Sequence, residues 1–179
     1  MKKLSWLLAA VWFACGQAAV ADEFKNVKCG GDIPKAMIGQ RSSDEPVVKT
    51  EARYRSLGLK HLGADETSDK LSSINWMICG SEFITLVDNR DIVRDAMPFP
   101  PHSKKTPAFS NYCELNGKKL PDIFVGVLNA EVAGDQLPAV AVWKIDLKNA
   151  KFVKAPVEGL RCPRRASYTP RETGPKPAG

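Results

Sequence analysis

The stretch INWMICGSEF, Ile74–Phe83, places a cysteine and a glycine between two apolar runs. Ile74–Ile78 reads as a strand, and its mostly apolar content marks it as central in a sheet or buried on both faces. Gly80 marks a bulge or bend, where a backbone or a bridge comes close. Cys79 has three candidate roles: reactive thiol, metal ligand, or half of a structural bridge. Which of them holds decides the compartment and most of the architecture.

The N-terminus bears on that choice. MKKLSWLLAAVWFACGQAAVADEF begins with Lys2 and Lys3, continues in an apolar run from Leu4 to Ala14, and reaches Ala19 and Ala21 in small-x-small spacing. This is the pattern of a secretory signal peptide, residues 1–21, with cleavage expected between Ala21 and Asp22. The apolar run is shorter than the ~20 residues a membrane-spanning helix needs. Lipidation at Cys15 is the weaker alternative, because Trp12 stands where a branched aliphatic residue is usual. The expected location is periplasmic or secreted, with no transmembrane segment after processing.

Cleavage removes Cys15 and leaves Cys29, Cys79, Cys113 and Cys162. An even set in an exported chain reads as a disulfide framework. Zinc sites and redox motifs take cysteines in close pairs, and these four lie far apart in sequence. Cys79 has only apolar neighbours before it, a poor setting for a low-pKa thiol. Two disulfides are therefore expected. The Glu82–Met97 segment reads as a hairpin that returns the chain to Cys79, which favours Cys79–Cys113 and leaves Cys29–Cys162 to join the ends. Sequential pairing is the rival.

The formal charge of +6 at pH 7 is unevenly placed. Lys2 and Lys3 leave with the leader. Bases and acids balance between Asp22 and Leu160, and the remaining excess sits in Arg161, Arg164, Arg165, Arg171 and Lys176 against Glu172. A basic appendage is not a basic folded face, so nucleic acid is not an expected partner. Residues 163–179, rich in Pro, Gly, Ser, Thr and Arg, read as a disordered basic tail. Anionic surfaces are its expected contacts.

Residues 22–162 remain as one disulfide-bridged domain. Asp32, Pro34 and the apolar Ala36–Ile38 predict a short helix ended by Gly39. VVKTEARYR, Val47–Arg55, alternates with period two and predicts a strand with Val48, Thr50, Ala52 and Tyr54 inward. Ser68 is placed to cap a short helix over 69–73. Asp88–Asn89 and Asn116–Gly117 predict turns. IFVGVLNAEV, AVAVWKIDLKN and FVKAPV read as strands, with Trp143, Ile145 and Leu147 inward. The expected fold class is α+β: a single compact domain dominated by an antiparallel sheet of about five to seven strands, with one or two short N-terminal helices and two disulfides.

Chemistry-bearing motifs are scarce. The sequence contains no G-x-S-x-G, G-x-x-x-x-G-K, G-x-G-x-x-G or H-E-x-x-H. Its two histidines are His61 and His102. His61, flanked by Leu62 and close to Leu59, reads as a packed or turn residue. Asp88, Asp91 and Asp95 resemble a calcium loop only superficially, because Arg90 and Val93 occupy positions that the EF-hand pattern reserves. No metal and no cofactor are expected. PPHSKKTP, stiffened by Pro98, Pro100, Pro101 and Pro107, presents His102, Ser103, Lys104 and Lys105 as the candidate binding surface.

The leading expectation is an exported noncatalytic binding or inhibitor module acting on a protein or envelope component. The alternative is a small extracytoplasmic hydrolase using His102 or the acids Glu82, Asp88, Asp91 and Asp95. A cleft where His102 meets a carboxylate is the feature that distinguishes them.

Overall fold

A computed structural model describes residues 22–164. The expected leader, residues 1–21, lies outside the described residues, as does nearly all of the expected tail. Two helices, α1 (Ile33–Met37) and α2 (Val47–Arg53), precede β1 (Lys60–Ser68), β2 (Leu71–Ile78), β3 (Ser81–Asp88) and β4 (Val93–Pro98). There follow β5 (Ala108–Leu115), β6 (Lys118–Leu128), β7 (Gln136–Asp146), β8 (Lys151–Lys154) and β9 (Leu160–Pro163). The α+β domain with two disulfides is as expected, but its described strands number nine and form two antiparallel sheets.

The first sheet is a meander, β1-β2-β3-β4. Its central hairpin turns at Cys79 and Gly80, whose φ angles are 53° and 78°. Two successive positive φ values fit the right-handed twist of flanking strands, so the glycine serves a two-residue turn. Strand β3 is buried on both sides, as five consecutive buried residues from Phe83 to Val87 show. Phe83 and Val87 enter a core with Phe24, Trp76 and Ile78. Ile84 and Leu86 face the other way and meet Val125, Val127 and Ile145 of the second sheet.

The second sheet runs β6-β5-β9-β7-β8, with β6 also pairing β7. Strands β5, β6, β7 and β9 thus close a circuit around Phe109, Phe124, Leu137 and Val142. Closure depends on a close crossing at Gly126, where a Cβ would lie 2.0 Å from the Ala141 carbonyl oxygen. Asn116 and Gly117 form the β5–β6 turn, with φ 51° and 79°.

Three local expectations need correction. Val47–Arg53 is a helix, not part of a strand. Pro46 sits at its N-cap, and the residues that reach inward are Thr50 and Tyr54, one helical turn apart. Val48, assigned inward by alternation, is 65% exposed. Ser68 caps no helix; its Oγ accepts from the backbone N–H groups of Lys70 and Leu71 in the β1–β2 turn. Leu147, also expected inward, is exposed in the β7–β8 loop.

The disulfides are Cys29–Cys79 and Cys113–Cys162, with Cα separations of 5.5 and 4.3 Å. The favoured scheme, Cys79–Cys113 with Cys29–Cys162, is therefore overturned. The hairpin does return to the neighbourhood of Cys79, since Pro98 pairs with Phe83. The following loop then carries the chain across to the second sheet. There Glu114 pairs with Arg161, which places Cys113 beside Cys162. Each bridge closes one half of the chain on itself.

Candidate functional site

The 99–107 connection is the crossing between the sheets, and it carries the candidate residues His102, Ser103, Lys104 and Lys105. At its start, the Phe99 N–H donates to the Glu82 carbonyl. His102 Nε2 lies 2.7 Å from Glu82 Oε2, and its ring meets Phe99 edge-on at 5.8 Å. Asn75 Nδ2 donates to the other carboxylate oxygen of Glu82 at 2.7 Å. Glu82 is thus fixed on both sides, on the sheet face that also carries Ile84 and Leu86.

Ser103 makes the turn. Its Oγ accepts from the N–H groups of Lys105 and Thr106 and lies 3.1 Å from Thr106 Oγ1. At the far end Lys105 Nζ pairs with Glu131 at 2.8 Å, and the Lys105 carbonyl accepts from the Ala130 N–H. The loop is therefore anchored to β3 at one end and to the loop after β6 at the other. Arg164 braces that second loop by donating to the carbonyls of Ala130, Val132 and Gly134. Lys104 stands exposed at the tip.

The acids of the alternative reading are not brought together; only Glu82 meets His102. Asp88 organises the β3–β4 turn by accepting from the Arg90 and Ile92 N–H groups. Burial pushes its carboxyl upward, but those N–H groups and the Arg90 and Arg94 guanidiniums outweigh burial and hold it below the ordinary range. Asp91 pairs with Arg41. Asp95 links the sheets by accepting from the Phe152 N–H and pairing with Lys151. Among the described residues no group of three His, Cys, Asp or Glu side chains could hold a metal ion.

Two concavities lie elsewhere. One, about 500 Å³, opens over the second bridge and is lined by Tyr112, Leu120, Pro121 and Pro163, with Glu114 and Lys119 also present. The other, about 100 Å³, lies among Glu23, Ser42, Thr50, His61 and Trp76. His61 packs edge-on against Trp76, with centroids 5.0 Å apart. Its pKa is lowered by burial, which the Glu51 carboxylate opposes.

Glu23 is 2% exposed, and it accepts from the Ser42 hydroxyl and the Ser43 N–H. Burial raises its pKa, aided by Asp22 and opposed by those hydrogen bonds. Sequence reasoning missed both concavities. Tyr112, Leu120 and Pro121 flank a recognised hairpin turn and offered a faint signal. Glu23, next to the expected cleavage point, offered none.

The chain matches no protein-family model, no curated protein and no solved structure. What stands on structural grounds is the class: a β-rich, twice-bridged α+β domain. The disulfides fit an oxidising compartment. Among the described residues no helix is long and apolar enough to cross a membrane.

Proposed function

We propose that this chain is an exported noncatalytic binding or inhibitor module acting on a protein or envelope component, with the 102–105 loop as its contact surface. Residues 1–21 direct it to the periplasm or the exterior and are then removed. The tail beyond Arg164 adds affinity for anionic surfaces.

The observation that carries this reading is the anchoring of the loop at both ends, His102 to Glu82 and Lys105 to Glu131. A loop ordered before binding loses less conformational entropy on association. Lys104 at the tip supplies a cation for an acidic partner surface. The test is capture from envelope extract by the mature protein and by Lys104→Glu. Material retained by the wild type and lost with Lys104→Glu supports the reading; equal retention by both removes the loop from it.

One observation favours the hydrolase reading. A carboxylate that orients an imidazole is half of a general-base arrangement. The neighbouring hydroxyl, Ser103, is already engaged with Thr106 and with two backbone N–H groups. A water molecule would then have to be the nucleophile, activated by His102. Loss of an ester- or amide-cleaving activity in His102→Ala and Glu82→Gln, at unchanged stability, would favour that reading.

A further inference from the structure

The two bridges differ in their surroundings. Cys113 and Cys162 are 1% and 0% exposed and pack in the core of the second sheet, with Cys113 lining the larger concavity. Cys29 is exposed, and Cys79 is half-buried at the tip of the β2–β3 hairpin. Thiol–disulfide exchange requires a thiolate to reach a sulfur, so access sorts the bridges before any other factor.

What Cys29 tethers is the start of the domain. Asp22 accepts a hydrogen bond from the Tyr54 hydroxyl and lies 3.8 Å from the Arg53 guanidinium. Glu23 supplies one wall of the smaller cavity. Phe24 is 1% exposed and packs on Tyr54 and Trp76, with centroids at 5.5 and 5.0 Å. The Asp22–Cys29 segment therefore covers Trp76 and walls that cavity on one side, and its downstream end is fastened to the sheet by the exposed bridge.

We propose that Cys29–Cys79 is a reducible latch on this cover, whereas Cys113–Cys162 is a permanent staple. A dithiol, small or carried by a protein, attacks the sulfur of Cys29, the more exposed residue of the pair. The Cys29–Cys79 bond breaks, Cys79 leaves as a thiolate, and a mixed disulfide forms at Cys29. The second thiol of the reductant displaces Cys29. The two cysteines end reduced and the reductant ends as its own disulfide, with two electrons transferred. Once free, the segment is held by noncovalent contacts alone and opens more often, uncovering Trp76 and withdrawing the Glu23 wall from the cavity.

The test treats the folded mature protein with graded dithiothreitol, quenches with iodoacetamide, and maps the label by mass spectrometry. Hydrogen exchange of residues 22–31 is followed in parallel. Cys29 and Cys79 are expected to label first, with amide exchange across 22–31 faster by roughly tenfold or more, a factor that a typical closed bridge exceeds. Exchange over 108–163 is expected to stay unchanged. The Cys29→Ser/Cys79→Ser variant should reproduce the fast exchange without reductant. Should that variant not fold, the titration of the wild type decides alone. Simultaneous labelling of all four cysteines overturns the proposal, as does selective reduction that leaves the 22–31 amides as protected as before.

Discussion

Glu82 Oε2 and His102 Nε2 are 2.7 Å apart, and this contact joins the start of β3 in the first sheet to the loop that crosses to the second. Glu82 is nearly enclosed, with its side chain 13% exposed, and Asn75 holds its other oxygen. Glu82→Gln keeps the shape and removes the charge. We expect a stability loss of about 1.5–3 kcal/mol, the range for a hydrogen bond to a charged group. Amide exchange should rise in residues 102–106. Urea denaturation and hydrogen exchange measure the two effects.

Phe24 stands third in the described segment and yet belongs to the first core. Phe24→Ala should cost roughly 3–5 kcal/mol, as for other fully buried aromatics. A substitution in an undocked segment would cost almost nothing, so the size of the loss in thermal or urea unfolding reports whether the segment around Phe24 is docked.

Gly126 faces the Ala141 carbonyl oxygen at a distance no side chain allows. Gly126→Ala must push β6 from β7 and break the circuit of the second sheet. We expect a loss of more than about 3 kcal/mol, or failure to fold, because overpacking and lost pairing act together. Soluble yield and denaturation midpoint are the measurements.

Glu23 gives stability a pH dependence. Burial raises its folded pKa above the ordinary 4.5, with Asp22 adding to the effect. The neutral form is thus the one the fold prefers. Its contribution is complete below the unfolded value and is lost as pH rises through the raised folded value. Glu23→Gln should match the wild type near pH 4 and gain on it progressively at higher pH. Denaturation curves across that range check the sign; a variant that loses ground as pH rises contradicts it.

The parts of the fold legible in the sequence were those fixed by local chemistry. Asn116–Gly117 announces its turn because both residues tolerate positive φ. The apolar run before Cys79 announces a central strand. Val47–Arg55 was misread because alternation over a few residues also fits a helix that buries only Thr50 and is followed by the half-buried Tyr54. Strand β9, Leu160–Pro163, is too short to announce itself and exists through pairing with β5 and β7. That long-range pairing sets Cys113 beside Cys162, which local reasoning could not supply. The 102–105 loop was legible through its prolines. Its anchors Glu82 and Glu131 were not, since they come from separate strands and loops.

The central claim is that each half of the chain is closed by its own bridge, Cys29–Cys79 around the first sheet and Cys113–Cys162 around the second. Proteolysis of the native protein without reductant, followed by mass mapping of the linked peptides, tests it directly. The account predicts those two linked pairs and no others. A Cys79–Cys113 or Cys29–Cys162 peptide, or free thiols at these positions in the native protein, would contradict it.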